Sequence, residues 1–372
     1  MPADNPYGVM VVDDSAVIRG LLTRHLESDP AITVVTSASN GEAALSALKR
    51  HDVEIIVLDI EMPVMDGIAA LPLLLKAKPG VQVIMASTLN RQNADISLRA
   101  MANGAADYVT KPRSTSELHS TDDFKHELID KIKAVAGAGR SAKDGKSAPS
   151  GPASARRPAG PVGSLPAGGP LKLRPPPLAR PEVIAIGSST GGPPALFTLL
   201  ADLCTDVSLP ILITQHMPAT FTGLLAEHIT RACKVTAVEA KDGDPIMPRR
   251  IYVAPGNLHM TVAREATHNV IRLCDGEPEN FCKPSVDPML RSMASVYGSR
   301  LLVLMLTGMG HDGRDGSKAV AAAGGSVIAQ DEATSVVWGM PGAVAAAGLC
   351  SAVLPLKEIA PYVRKLALRS AA

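Results

Sequence analysis

The sequence predicts an α/β protein with two doubly wound parallel-sheet domains joined by a flexible linker. Three observations carry this. Short aliphatic runs alternate with helix-length segments in two separate blocks. Hydrophobic residues make up 46% of the chain but aromatics only 3%, so its cores are aliphatic, as buried parallel strands require. Between the blocks the composition shifts to Gly, Pro, Ala and Ser. A chain of 372 residues also exceeds one typical domain. The expected division is 1–136, a linker at 137–180, and 181–372.

In the first block, strands are expected at Val9–Val12, Thr33–Thr36, Ile55–Leu58, Val81–Ala86 and Asp107–Val109. Helices are expected at Ala16–Leu26, Gly41–Arg50, Ile68–Lys76, near Ala94–Asn103, and from Ser120 to Val135. Strand and helix alternate throughout, giving a doubly wound sheet of flavodoxin-like size. The linker carries Arg140, Lys143, Lys146, Arg156, Arg157, Lys172, Arg174 and Arg180 against Asp144 alone. It has too little apolar surface to offset chain entropy, and its spaced charges without aromatics read as a solvated spacer.

In the second block, strands are expected at Val183–Ile186, Ile211–Thr214, Val235–Glu239, Arg250–Val253, Val270–Leu273, Leu301–Leu306, Ser326–Ala329 and Val336–Val337. Helices fit Pro194–Leu203, Phe221–Ala232, Val286–Tyr297, Asp312–Ala323 and Gly342–Ala347. This reads as a larger, Rossmann-like α/β unit.

A formal net charge of +1 supplies no global field toward nucleic acid or a membrane surface. The five cysteines form no C-x-x-C pair, which argues against a disulfide frame or zinc site. The N-terminus lacks a basic-then-apolar leader, and no apolar run approaches the roughly 20 residues of a membrane span. The expectation is a cytoplasmic protein with no nucleic-acid partner and no membrane insertion.

In parallel α/β sheets, sites form at the carboxyl ends of strands. In the first block those ends carry Asp13 and Asp14 after VMVV, Asp59 after IIVL, Ser87 after VIMA, and Lys111 beyond Tyr108. Three carboxylates at one rim are tolerable around a hard divalent cation, and oxygen-only ligands favour Mg²⁺. Such a cation prepares one carboxylate to attack a phosphoryl group, and a lysine and a hydroxyl can hold the added oxygens. A single Asp at a strand end is often only a helix cap; the full set at four strand ends is not explained that way.

VVDDS, LDIEMPVMDG and the TKP of YVTKP resemble a response-regulator receiver domain, from residue 8 to about 135. The resemblance implies that Asp59 accepts phosphate from a chemotaxis histidine kinase, with Asp13 and Asp14 completing the Mg²⁺ site. It implies Ser87 as the switch hydroxyl, Tyr108 as the rotating aromatic and Lys111 as the phosphate-sensing cation. Asp66 and Gly67 fit the family loop and shape a turn.

In the second block, GSSTGG follows a strand and satisfies G-x-S-x-G through Gly187, Ser189 and Gly191. Such a turn lifts one hydroxyl above the sheet and aims helix N-terminal amides at a developing oxyanion. The motif alone leaves a phosphate cradle equally open. A nucleophilic serine needs a base and an orienting acid. His216 follows ILITQ at a strand end, and Asp312 lies in a glycine-rich loop after LLVLML. His259 is a rival base; His228, mid-helix, and His268, in a polar turn, read as surface residues.

IGSSTGGPPAL, TQHMP, YVAPG, KPSVDPML, LTGMGHDGRDG and QDEATSVVWGMPGAV together resemble the chemotaxis protein-glutamate methylesterases, over roughly 182 to 360. Ser188 stands where that family more often has alanine. The resemblance implies a Ser189–His216–Asp312 triad with no cofactor in this domain. Thr190 and Met309 amides would form the oxyanion hole. The substrates implied are glutamate methyl esters, and certain glutamines, on methyl-accepting chemotaxis receptors. It also implies a receiver that covers the cleft until phosphorylated.

Overall fold

The computed structural model describes residues 5–88, 90–111, 122–144, 171–175 and 179–367. Strands β1 (Tyr7–Val12), β2 (Ile32–Ala38), β3 (Ile55–Asp59), β4 (Gln82–Thr88) and β5 (Asp107–Lys111) form a parallel sheet in the order β2-β1-β3-β4-β5. Helices α1 (Ala16–Glu27), α2 (Gly41–Leu48), α3 (Gly67–Ala77), α4 (Arg91–Ala102) and α5 (Asp122–Asp144) flank it. The strands are buried on both faces: Met10, Ile56, Leu58, Val83 and Met85 point into one core, and Val9, Val11, Ile55, Val57 and Ile84 into the other. Ser15, Asn40, Asp66 and Asn90 cap the four preceding helix starts by accepting the amides of Ile18, Ala43, Ala69 and Asn93. After Asp66, glycine is required: a Cβ on Gly67 would stand 2.1 Å from the carbonyl oxygen of Asp59.

The second sheet holds β6 (Val183–Ser188), β7 (Ile211–Gln215), β8 (Thr236–Glu239), β9 (Arg250–Val253), β12 (Leu301–Met305), β13 (Ser326–Gln330) and β14 (Ala352–Leu354). Its order is β14-β13-β12-β6-β7-β9-β8, and every pairing is parallel. Helices α6 (Gly192–Leu203), α7 (Ala219–Cys233), α8 (Val286–Tyr297), α9 (Arg314–Ala322), α10 (Met340–Ala346) and α11 (Leu356–Ala367) pack around it. The chain runs outward from β6 in both directions, so the topological switch point lies between β6 and β12.

Four expectations change. Val270–Leu273 is not a sheet strand; β11 (Asn269–Cys274) pairs antiparallel with the unforeseen β10 (His259–Arg264) in a separate hairpin. Val336–Val337 is irregular, because its backbone groups serve the Thr307 side chain and the Gly308 amide instead of a ladder. The terminal β14 and α11 were not anticipated; Pro361 sits inside α11 and masks its helical pattern. The linker was expected to begin at Gly137, yet α5 continues to Asp144. Arg140 holds it there, with Nε 2.6 Å from Glu54 Oε1 and two further donations to the carbonyls of Asn5 and Pro6. At the far end, Arg174 donates to the carbonyls of Ala321 and Gly325, so that segment is docked on the second domain. The expected helix start at Ser120 and linker residues 145–170 and 176–178 lie outside the described residues. Among the described residues no helix is long and apolar enough to cross a membrane.

The two domains share one continuous core. Ala94, Leu98, Met101 and Tyr108 of the first belong to the same buried cluster as Leu196, Phe221, Leu224 and Leu225 of the second.

Candidate active site

At the end of β6 the doubled serine divides its labour. Ser188 is fully buried, and its hydroxyl donates to Gln215 Oε1 at 2.6 Å. Gln215 in turn donates to the carbonyl of Ser189 at 2.9 Å, so Ser188 braces the turn. Ser189 is half-buried at the rim, its amide bonded to the Thr307 carbonyl at 3.1 Å. Gly191 has φ 74°, and a Cβ there would stand 2.5 Å from Val336 Cβ, so only glycine closes this turn. Among the described residues the amides of Thr190 and Met309 donate no hydrogen bond, which leaves both free to act as oxyanion donors.

His216 follows β7, its amide bonded to the Ser188 carbonyl at 3.1 Å, so it adjoins the serine turn. Asp312 lies in the loop between β12 and α9, and its Oδ2 is 2.7 Å from His216 Nε2. The carboxylate also accepts from Asn280 Nδ2 at 2.9 Å, Ser285 Oγ at 2.7 Å and the Val286 amide at 2.6 Å. The last two place it at the N-terminus of α8, where the helix dipole favours an anion. Burial works against this charge, but His216 and the donors from Ser285 and Val286 hold the Asp312 carboxyl below the usual carboxylate range. Burial likewise works against an imidazolium, but Asp312 and then Cys282 raise His216 to about 9.

Because Asp312 takes Nε2, the nitrogen left for the serine proton is Nδ1. In this structure Nδ1 faces Cys282 Sγ at 3.4 Å, and among the described residues no hydrogen bond joins Ser189 to His216. The rival base, His259, is committed elsewhere: its Nε2 lies 2.9 Å from the Glu277 carbonyl, and its Nδ1 accepts the Ser285 amide at 3.1 Å. His268 is exposed, as expected. Sequence reasoning did not single out Asn280, Cys282 or Ser285, although the KPSVDP motif contains the last.

In the first domain, Asp13, Asp14 and Asp59 offer carboxylate oxygens within 4.8 Å of one another. Lys111 Nζ bridges two of them, at 2.5 Å from Asp13 and 2.7 Å from Asp59. Burial raises Asp59 to about 6 despite that lysine, with Asp13 adding to the rise. A crowded oxygen-only cluster with one exposed member, Asp14, fits a hard divalent cation. A cleft of about 580 Å³ lined by Asp14, Glu61, Met62 and Gln92, among others, opens beside it. Ser87 is buried, 3.2 Å from Ser97 Oγ.

Tyr108 stacks on Phe221 of α7, with ring centroids 4.4 Å apart and planes at 23°. His228, expected on the surface, is instead only partly exposed at this junction: its Nε2 is 2.7 Å from Asp95 Oδ1 on α4. The adjoining Asp107 carboxylate stands against the Thr190 side chain. Met309, Val336 and Val337 pack into the core cluster that contains Val109, Phe124 and Leu128. The first domain therefore touches both the serine turn, which carries Thr190, and the β12–α9 loop, which carries Met309.

Residues 184–363 match the CheB methylesterase family, and residues 9–121 match the response regulator receiver domain. The protein-glutamate methylesterase/protein-glutamine glutaminase of group 2 operon from Rhodospirillum centenum is 57% identical over 99% of this chain and 96% of its own. The chain belongs to this family. The protein-glutamate methylesterase/protein-glutamine glutaminase from Azospirillum brasilense is also 57% identical, over 99% of this chain and 94% of its own. Among solved structures, the Thermotoga maritima CheB methylesterase catalytic domain is 36% identical, covering 50% of this chain and all of that one, at a TM-score of 0.49. The methylesterase family thus accounts for the second domain, and the receiver family for the first, whose phosphorylation depends in general on Mg²⁺.

Proposed function

We propose that this chain is a phosphorylation-gated hydrolase of chemotaxis adaptation. It demethylates glutamate methyl esters on methyl-accepting chemotaxis receptors, releasing methanol, and deamidates selected receptor glutamines. One observation carries the reading: an ionised Asp312 orients His216 beside the Ser189 turn at the switch point, under a docked receiver.

Ser189 Oγ attacks the ester carbonyl and passes its proton to His216 Nδ1. The developing oxyanion is met by the amides of Thr190 and Met309; one such donor contributes roughly 10²–10³ in rate. The imidazolium, stabilised by Asp312, returns the proton to the departing methoxide. Water then enters by the same route, and the acyl-enzyme is hydrolysed to free glutamate. With glutamine the leaving group is ammonia. These steps use only the side chains and amides of this domain.

In the receiver, the Asp59 carboxylate attacks the phosphoryl group carried on the histidine of a chemotaxis histidine kinase; the P–N bond breaks and the kinase imidazole leaves. Asp13, Asp14 and Asp59 are the residues that would hold Mg²⁺, which when bound would supply charge compensation there. Lys111 and Ser87 then turn to the new phosphate oxygens, Ser87 leaving Ser97. Movement of Ser87 opens space into which Tyr108 rotates, which removes its ring from Phe221 and loosens the receiver from the serine turn. The enzyme works in the cytoplasm, without inserting in the membrane, on the receptor segments exposed there.

The test is methanol release from methylated receptor membranes by the full chain, with and without a small phosphodonor and Mg²⁺. Release that disappears in Ser189→Ala and rises with phosphodonor is expected. No release from the native chain under either condition would overturn the proposal.

A further inference from the structure

Phe281 is fully exposed, at 103% of its reference area, and is the only exposed aromatic among the described residues. It sits at the tip of a two-residue hairpin closed by reciprocal bonds between Glu279 and Cys282, at 2.9 and 3.2 Å. Asn280 has φ 53° and Phe281 φ 62°, the left-handed pair of a type I′ turn. Asparagine suits the first position. The second favours glycine, and a bulky side chain there costs backbone energy.

The turn is bound to the catalytic machinery on both sides of the phenyl ring. Asn280 Nδ2 bridges Asp312 Oδ1 and Asp287 Oδ2, each at 2.9 Å. Cys282 Sγ is 3.4 Å from His216 Nδ1, and Glu279 is anchored by Arg291 at 2.6 Å. A rigid turn thus holds a large apolar ring in solvent at the rim of the active site. The ring gains nothing for the fold, and the docked receiver leaves it uncovered. A glutamyl side chain is short, so the polypeptide that bears the ester must lie along this rim while the ester reaches Ser189.

We propose that Phe281 is a specificity-determining residue that docks an apolar side chain of the receptor segment beside the esterified glutamate. This rests on the esterase reading above. Because the ring is free while the receiver is docked, the contact is available before activation.

The experiment compares the phosphodonor-activated native chain with Phe281→Ala, Phe281→Trp and Phe281→Gly. The substrates are methylated receptor membranes and a small ester, the γ-methyl ester of N-acetylglutamate. Phe281→Ala is expected to lower kcat/KM on the receptor by roughly tenfold or more, through KM, since that is the scale of burying one aromatic side chain. Small-ester hydrolysis stays within about twofold, and Phe281→Trp restores receptor turnover. Phe281→Gly suits the turn backbone, so it melts no lower than the native chain while showing the same KM defect. Equal falls on both substrates would mean that the turn only braces Asp312 and His216, and would overturn the proposal. So would unchanged receptor kinetics in Phe281→Ala. Absence of Ser189-dependent cleavage of either substrate by the native chain would overturn the esterase reading itself. Cleavage of the small ester alone would remove the receptor as the occupant of this turn.

Discussion

Substituting Tyr108 by leucine tests the gate through a single contact. Leucine keeps an apolar side chain at the site but removes the 4.4 Å stack on Phe221. The Lys131 ammonium, 4.9 Å from the same ring, belongs to the receiver whether docked or free, so its loss does not bias the docking equilibrium. What remains is the aromatic pair, about 0.5–1.5 kcal/mol beyond burial. A shift of about 1.4 kcal/mol changes an equilibrium constant tenfold. While the docked form dominates, the open fraction therefore rises by about two- to tenfold. The assay is Ser189-dependent methanol release without phosphodonor. Tyr108→Leu should raise this basal rate by that factor, and the stimulation by phosphodonor should shrink in proportion. A double-mutant cycle with Phe221→Leu isolates the pair, because the second substitution should add little once the first is made. A basal rate identical to native, with Asp59 still phosphorylated, would refute the stack as part of the gate.

Asp312→Asn should lower kcat by about 10³–10⁴, since it presents the wrong tautomer to the serine. In the native chain kcat/KM should climb with pH as His216 loses its proton near 9, and in the mutant that limb should move toward about 6.5. The linkage has a fixed sign. The raised His216 contributes stability that is complete below about 6.5 and is lost as pH rises through about 9, so chemical denaturation of the native chain should weaken in that window. Ser188→Ala leaves Gln215 Oε1 without its buried donor and should cost about 1–3 kcal/mol of stability, read by denaturant midpoint, while methanol release persists. Asp59→Asn should abolish the response to phosphodonor but leave a Ser189-dependent basal rate, measured in the same release assay.

The two sheets and the candidate triad were legible because each rests on local signals. Aliphatic runs bounded by turns mark parallel strands, and polar residues at their carboxyl ends mark a rim. Ser189, His216 and Asp312 each lie at such an end, so residue type and position sufficed to nominate them, and the structure joins His216 to Asp312. Their supporting residues have no such signature. Asn280 reaches Asp312 only through the short turn closed by Glu279 and Cys282, which follows the off-sheet β10–β11 hairpin, and β10 was itself missed. His228 shows the limit most clearly. On α7 its position reads as a solvent-facing histidine, and the neighbouring domain supplies its partner, Asp95. Periodicity within one element cannot report a surface supplied by another domain. The start of the linker was misplaced for a related reason: Arg140 finds its partners far away in the sequence, at Glu54 and the N-terminal residues of its own domain.

The resting geometry restrains catalysis at two points, and they are coupled through the residues between them. The receiver partly covers Met309 and sets Asp107 against Thr190, so the loops that carry the two proposed oxyanion donors are partly occupied. Independently, Asp312 and then Cys282 raise His216 to about 9, which favours the imidazolium at neutral pH, and Nδ1 faces Cys282 instead of Ser189. A protonated imidazole cannot accept the serine proton. Asp312 is nonetheless what the transition state needs, because it stabilises the imidazolium formed on attack. The same ion pair that favours the transition state therefore suppresses the base in the ground state. A substrate that displaces Cys282 and brings Ser189 Oγ to Nδ1 removes one of the contacts that raise the imidazole pKa, and so shifts the equilibrium toward the neutral base. Undocking the receiver clears the oxyanion loop for that substrate. On the proposed mechanism, phosphorylation and substrate thus act on different parts of one site, and together they raise its rate above the basal one.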